Sequence, residues 1–194
     1  MSQKPASPIT PEEARQALEL IESTSRQMRR LAAYGGMPYF LIVWGIVWVV
    51  GFSANYFVAD PSTRGTIWMV LDILGLLGTA YVVWYIHKRG VHWPMGPTLG
   101  WFWFAWMVYG ALFVHFAQAR GTQLSMLISL WVMFGYVVSG LFYRSRVLIT
   151  LGLTVTVFIV VGYVALPAYF DLWMAVLGGG SLAVAGVYML TAWR

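Results

Sequence analysis

The chain has 194 residues, 60% of them hydrophobic and 10% charged, with a formal charge of +5 and no cysteine. Soluble domains carry about 45–50% apolar and about 25% charged residues, so an ordinary soluble domain is excluded. Absent cysteine also excludes disulfides, thiolate metal sites and cysteine nucleophiles. The basic balance does not point to nucleic acid, because the Lys and Arg residues gather at the ends of apolar runs, where they act as topology determinants.

Residues 1–9 (MSQKPASPI) are polar and Pro-rich and are expected to form a disordered tail. Residues 10–34 read as an amphipathic helix. Thr10 is a good N-cap, Pro11 suits the first helical position, and Glu13 completes a capping box. Ala14, Leu18, Ile21, Met28 and Leu31 form a narrow apolar stripe, and Gly35-Gly36 ends the helix. Arg26, Arg29 and Arg30 near its end suit contact with anionic lipid at the membrane surface. The sharper alternative is docking of a partner protein, or of a second copy of the chain, through this helix. The first apolar run begins only after about 37 mostly polar residues, which is not the layout of a cleavable signal peptide.

Six apolar runs follow, at about 38–58, 66–86, 99–119, 123–143, 147–166 and 169–193. Each is near the ~20 residues needed to cross a bilayer core. Backbone polar groups in lipid must be satisfied internally, so these runs should all be helical. The expected fold class is an all-α membrane protein, a six-transmembrane-helix bundle preceded by the amphipathic helix. Lys4, Arg15, Arg26, Arg29, Arg30, Lys88, Arg89, Arg144, Arg146 and Arg194 fall on one side, against only Arg64 and Arg120 on the other. Positive charge stays inside, so an integral membrane protein with both termini cytoplasmic is expected. Trp101, Trp103 and Trp106 open the third run and read as an interfacial anchor.

A weak internal repeat suggests three helical hairpins, with glycines at similar places in the odd spans (Gly51, Gly110, Gly162) and in the even ones (Gly78, Gly135, Gly186). Small residues four apart allow close helix approach. The pairs Gly75 and Thr79, Gly135 and Ser139, and Gly179 and Ala183 predict helix packing that brings the second, fourth and sixth spans closest together. The run Gly178-Gly179-Gly180 predicts a kink or a close crossing in the sixth.

Asp72 lies within an otherwise uncharged run. A carboxylate at membrane depth costs on the order of 2.5 kcal/mol or more unless paired, wetted or protonated, and by default it marks a functional site. Counting from the run ends places Asp72 roughly 9 Å below the outer surface and His115, in the third run, about 5–7 Å below it. Asn55 lies near the same depth, and Ser129 sits on a polar side of the fourth run with Ser125, Tyr136 and Ser139. These positions predict an outward-opening polar pocket around Asp72 and His115, supported by Asn55 and Ser129, for ligand or ion binding. The alternative is a hydrogen-bond network that sets helix register.

Other chemistry is poorly served. His87, His92 and His115 lie at depths that do not suit a bis-His haem, and no carboxylate completes a His87/His92 metal site. Ser129, His115 and Asp72 have the residue types of a triad but no nucleophile-elbow pattern, and no phosphate-binding loop is present. No cofactor or metal is expected. The function classes ranked from these observations are a small-molecule or ion binding or transport module, then a non-transporting membrane subunit or sensor that anchors a partner through its N-terminal helix. An intramembrane enzyme comes third.

Overall fold

The computed structural model describes residues 10–20, 36–89 and 96–192. The tail at 1–9 and residues 21–35, which include Arg26, Arg29 and Arg30 of the expected N-terminal helix, lie outside the described residues. Helix α1 covers residues 11–20 and starts on the capping box: Thr10 Oγ1 accepts the Glu13 N–H at 3.2 Å, and the Glu13 carboxylate accepts the Thr10 N–H at 2.8 Å. Two donors that a helix start leaves free are thereby satisfied. The Thr10 backbone and hydroxyl bonds hold the Glu13 carboxyl below its ordinary range.

Six helical spans follow, each long and apolar enough to cross a membrane. They are α2 (Met37–Phe57), α3 (Pro61–Lys88), α4 (Gly96–Ala117), α5 (Gly121–Phe142), α6 (Arg146–Ala165) and a composite sixth span, Pro167–Ala192. The sixth runs from a 3-10 turn (Pro167–Tyr169) through α7 (Phe170–Trp173) and a π-helical stretch (Met174–Gly179) into α8 (Gly180–Ala192). Among the described residues there is no strand.

Helix α3 begins five residues before the apolar run predicts. The reason is local. Asp60 caps it by accepting the Thr63 N–H at 2.8 Å and the Thr63 hydroxyl at 2.6 Å, and Pro61 takes the first turn, where a missing N–H costs nothing. The same bonds keep the Asp60 carboxyl below its usual range, with the Thr63 hydroxyl contributing most. Hydropathy registers apolar residues only and passes over a polar first turn.

The core is built from α2, α5, α6 and the sixth span. Leu41, Met133, Leu148, Val155, Ile159, Phe170, Met174, Leu182 and Met189 are fully enclosed there. The closest approaches join α2 to the sixth span and α5 to α6. A Cβ added at Gly45 would stand 2.7 Å from the Ala183 backbone nitrogen, and one at Gly179 would stand 2.6 Å from the Val49 nitrogen. A Cβ at Gly152 would lie 3.0 Å from the Met133 carbonyl oxygen. Only glycine lets backbones come this near.

These contacts correct the expectation that the second, fourth and sixth spans pack closest. Gly75 and Thr79 face the first span: Gly75 lies against Trp44 and Val47, and Thr79 Oγ1 accepts Trp44 Nε1–H at 3.1 Å. Gly135 receives the indoles of Trp103 and Trp106 from α4. Ser139 is buried, and its hydroxyl has no hydrogen-bond partner. Gly179 and Ala183 meet Gly45 on the first span. Small residues mark close contact faces, but spacing alone does not say which helix each face meets. Nor does the packing follow three self-contained hairpins, since its densest seams join the first span to the sixth and the fourth to the fifth.

The two remaining helices are flanks. α3 rests on α2, and α4 rests on α5. The α4–α5 seam is aromatic. Trp106 and Trp131 stack at 4.5 Å, and each indole N–H donates to the other residue's backbone carbonyl, at 3.1 and 3.0 Å. Trp103 meets Tyr136 edge to face. Trp103 and Trp106 pack between helices, because glycines at 110 and 135 leave room for indoles there. Trp101 alone of the three points outward.

Candidate functional site

Four helices converge where α2 ends and α3 begins. Asn55, in the last turn of α2, is the hub. Its side-chain carbonyl accepts Trp68 Nε1–H from α3 at 2.9 Å. Its amide donates to Asp171 Oδ1 on α7 at 3.2 Å and to Ser125 Oγ on α5 at 3.4 Å. Ser125 also hydrogen-bonds the Asp171 carboxylate, and the positive charge of Arg64, in the first turns of α3, acts on it. One amide thus serves partners on three other helices with both ends of its side chain.

The tie has spare capacity. The Arg64 Nε is enclosed and has no hydrogen-bond partner, and neither does the hydroxyl of Ser129, one turn along α5 from Ser125. Enclosed polar groups of this kind are exceptions in folded proteins. Directly after Asp171 the sixth span relaxes into the π-helical stretch, a local widening of helical geometry that recurs at functional sites.

Of the four residues singled out in sequence as ligand contacts, Asn55 enters this cluster and Ser129 borders it. Asp72 and His115 stay outside. Asp72 is exposed, although Trp68, Gly75 and Thr79 on nearly the same face turn inward. Among the described helices, α3 packs extensively only on α2, so a narrow stripe is covered and Asp72 falls at its margin. His115, two residues from the end of α4, is also exposed and lies edge-on to Phe116. α3 and α4 share no extended contact, so the expected Asp72–His115 pairing is not made within the chain. Asp72 lies roughly 16 Å from the Pro61 end of α3 and about 24 Å from the Lys88 end at 1.5 Å per residue.

Two open grooves run along the α4–α5 seam. The larger, about 520 Å³, is lined by Tyr109, Leu112, Phe113, Phe116, Ala117 and Trp131; the smaller, about 320 Å³, by Phe102, Ala105, Trp106, Tyr109 and Trp131. Both are apolar and aromatic, and neither touches the Asn55 cluster. Among the described residues, no group of three or more His, Asp or Glu side chains is placed to hold a metal ion.

Sequence reasoning passed over Asp171, although the signal was available. It is the one charged residue inside the run 169–193, the same property that drew attention to Asp72. Its place two residues after the run begins made it resemble a boundary residue. No family model, curated protein or solved structure matches the chain.

Proposed function

We propose that the protein is a non-transporting membrane subunit that docks other transmembrane chains on its flanking helices, with both termini cytoplasmic. One observation carries this reading. α3 presents most of its surface outward, and Asp72 stands exposed at the edge of that surface, about midway along the helix. Exposed Leu, Val and Phe suit lipid and need no partner. A carboxylate at membrane depth does not suit lipid. The glycine-locked core and the Asn55 tie support the same reading, since they make a rigid platform from which the flanks project. The N-terminal helix, exposed along residues 10–20, offers a second contact outside the membrane.

The test is photo-crosslinking from Leu76 on α3, Phe113 on α4 and Leu18 on α1, with the full-length protein in the membranes of cells that make it. Discrete protein adducts at Leu76 or Phe113 are expected. Lipid adducts alone at both positions would remove the proposal.

A second reading, a binding site for a small cation or amine, rests on the Asn55–Asp171 tie rather than on Asp72. The unpartnered Ser129 hydroxyl favours it, because its oxygen can accept a hydrogen bond one turn along α5 from Ser125. Loss of solute uptake in Asp171→Asn, with Asp72→Asn unaffected, would favour this reading over the first.

A further inference from the structure

The exposed side of α3 has a pattern of its own. Gly65, Met69, Asp72, Leu76 and Val83 recur at spacings of four, three, four and seven residues, a heptad-like seam whose one inward position, Thr79, is engaged by Trp44 of α2. Met69, Leu76 and Val83 are 58%, 60% and 55% exposed, Asp72 is exposed, and a Cβ added at Gly65 would meet nothing. The seam is opposite in character to the face that α3 turns toward α2, where Trp68, Leu71, Gly75 and Val82 are covered or partly covered. It is apolar along its length and interrupted once, by a carboxylate near mid-helix.

That interruption constrains the occupant. The described Lys and Arg residues of the membrane domain are Arg64, Lys88, Arg89, Arg120, Arg144 and Arg146, and each stands at a helix end or in a connection. A second copy packed on this seam would bring Asp72 against Asp72, with none of these cations at that depth. Lipid chains offer no donor at all. A cation in the middle of an apolar helix is costly in lipid for the same reason as the carboxylate, so each relieves the other.

We infer that the Gly65–Met69–Asp72–Leu76–Val83 seam of α3 receives a transmembrane helix of another protein that carries a Lys or Arg near its middle. The inference rests on the docking-subunit reading and adds the chemistry of the partner. Asp72 supplies the selectivity, and the apolar heptad positions supply the packing. Recognition by one charge pair at one depth also sets register, because sliding the partner by a turn separates the charges by about 5 Å.

The experiment uses the full-length protein in lipid vesicles and three labelled single-span peptides of Leu and Ala. One has Lys at its centre, one has Leu there, and one has Lys moved two turns toward an end. Association is read by energy transfer to a label on the protein. The central-Lys peptide is expected to bind about tenfold tighter than the other two, a modest fraction of the cost of an unpaired mid-membrane charge. Asp72→Leu should bring the three within about twofold of one another. Asp72→Lys should reverse the preference toward a central-Glu peptide. Equal binding of the Lys and Leu peptides overturns the inference while leaving docking itself to the crosslinking result, so the two failures are distinguishable. A central-Lys preference that survives in Asp72→Leu overturns it as well. The chain has no native cysteine, so Leu76→Cys gives a unique probe for self-association. Efficient disulfide dimers of Leu76→Cys at high lipid dilution would assign the seam to a second copy and overturn the inference.

Discussion

The two membrane carboxylates, Asp171 and Asp72, stand in opposite surroundings. Asp171 lies where α2, α3, α5 and α7 converge, with Asn55 and Ser125 bonded to it and a guanidinium charge nearby. Asp72 lies on a flank with one helical neighbour and an open apolar seam. Asp171 is answered from within the chain and ties helices together, whereas no described group of the chain answers Asp72. The difference follows from packing: α2 and the sixth span are pressed together by glycines, while α3 touches the bundle along a single stripe.

The strongest way to break this contrast is to break the core. Gly179→Val would drive side-chain atoms into the backbone of α2, which lies 2.6 to 2.8 Å from the site of the new Cβ and cannot rotate away. A loss of about 3 kcal/mol, or failure to assemble, is expected from overpacking against backbone. It would be read as a fall in the melting temperature of the detergent-solubilised protein. A near-parental melt would show that the α2–sixth span crossing is looser than the backbone distances imply.

Next in size is Asn55→Leu, which preserves volume but leaves Trp68 Nε1–H, Asp171 and Ser125 without their shared partner. A cost of about 1–2 kcal/mol is expected, limited because polar groups in a membrane-embedded unfolded state also find partners. The same melts check it. Adding Asp171→Leu to this variant should cost less than Asp171→Leu alone does in the parent, because the two residues share one interaction. Full additivity would show that they do not act together.

Smaller again is Trp131→Phe. It removes the N–H···O bond to the Trp106 carbonyl and part of the ring stack, for about 1 kcal/mol. The effect should be confined to the attachment of α4. Faster hydrogen exchange in residues 96–117 than in α6 would show that confinement, and uniform acceleration across the bundle would contradict the division into core and flank.

Much of the fold was legible because bilayer physics leaves few choices. Runs of about 20 apolar residues must be helices, and the number of spans follows directly. The pairing of helices was less legible. Gly179 and Ala183 announce a close face, but the face they meet is that of Gly45 on α2, across a long sequence separation that local spacing cannot specify. The site shows the same limit. Asp72 was found because it sits inside a run, about two turns from its start, and Asp171 was missed because it sits almost at a run's start. Which of them turns inward depends on how many neighbours its helix has, a property of the assembled bundle.

The smallest expected effect is the most discriminating. Asp72→Leu removes a carboxylate that no other described group of the chain answers, so the isolated protein in detergent should melt within about 0.5 kcal/mol of the parent, as exposed substitutions usually do. The outcome separates the two carboxylates by what surrounds them, since both are acidic residues in apolar runs and composition alone would treat them alike. A Tm drop as large as that of Asn55→Leu would mean that Asp72 belongs to the internal network, and the contrast between core and flank would fail at the residue on which it rests. An unchanged Tm, together with lost crosslinks from Leu76 in native membranes, would place the role of Asp72 in recognition rather than folding.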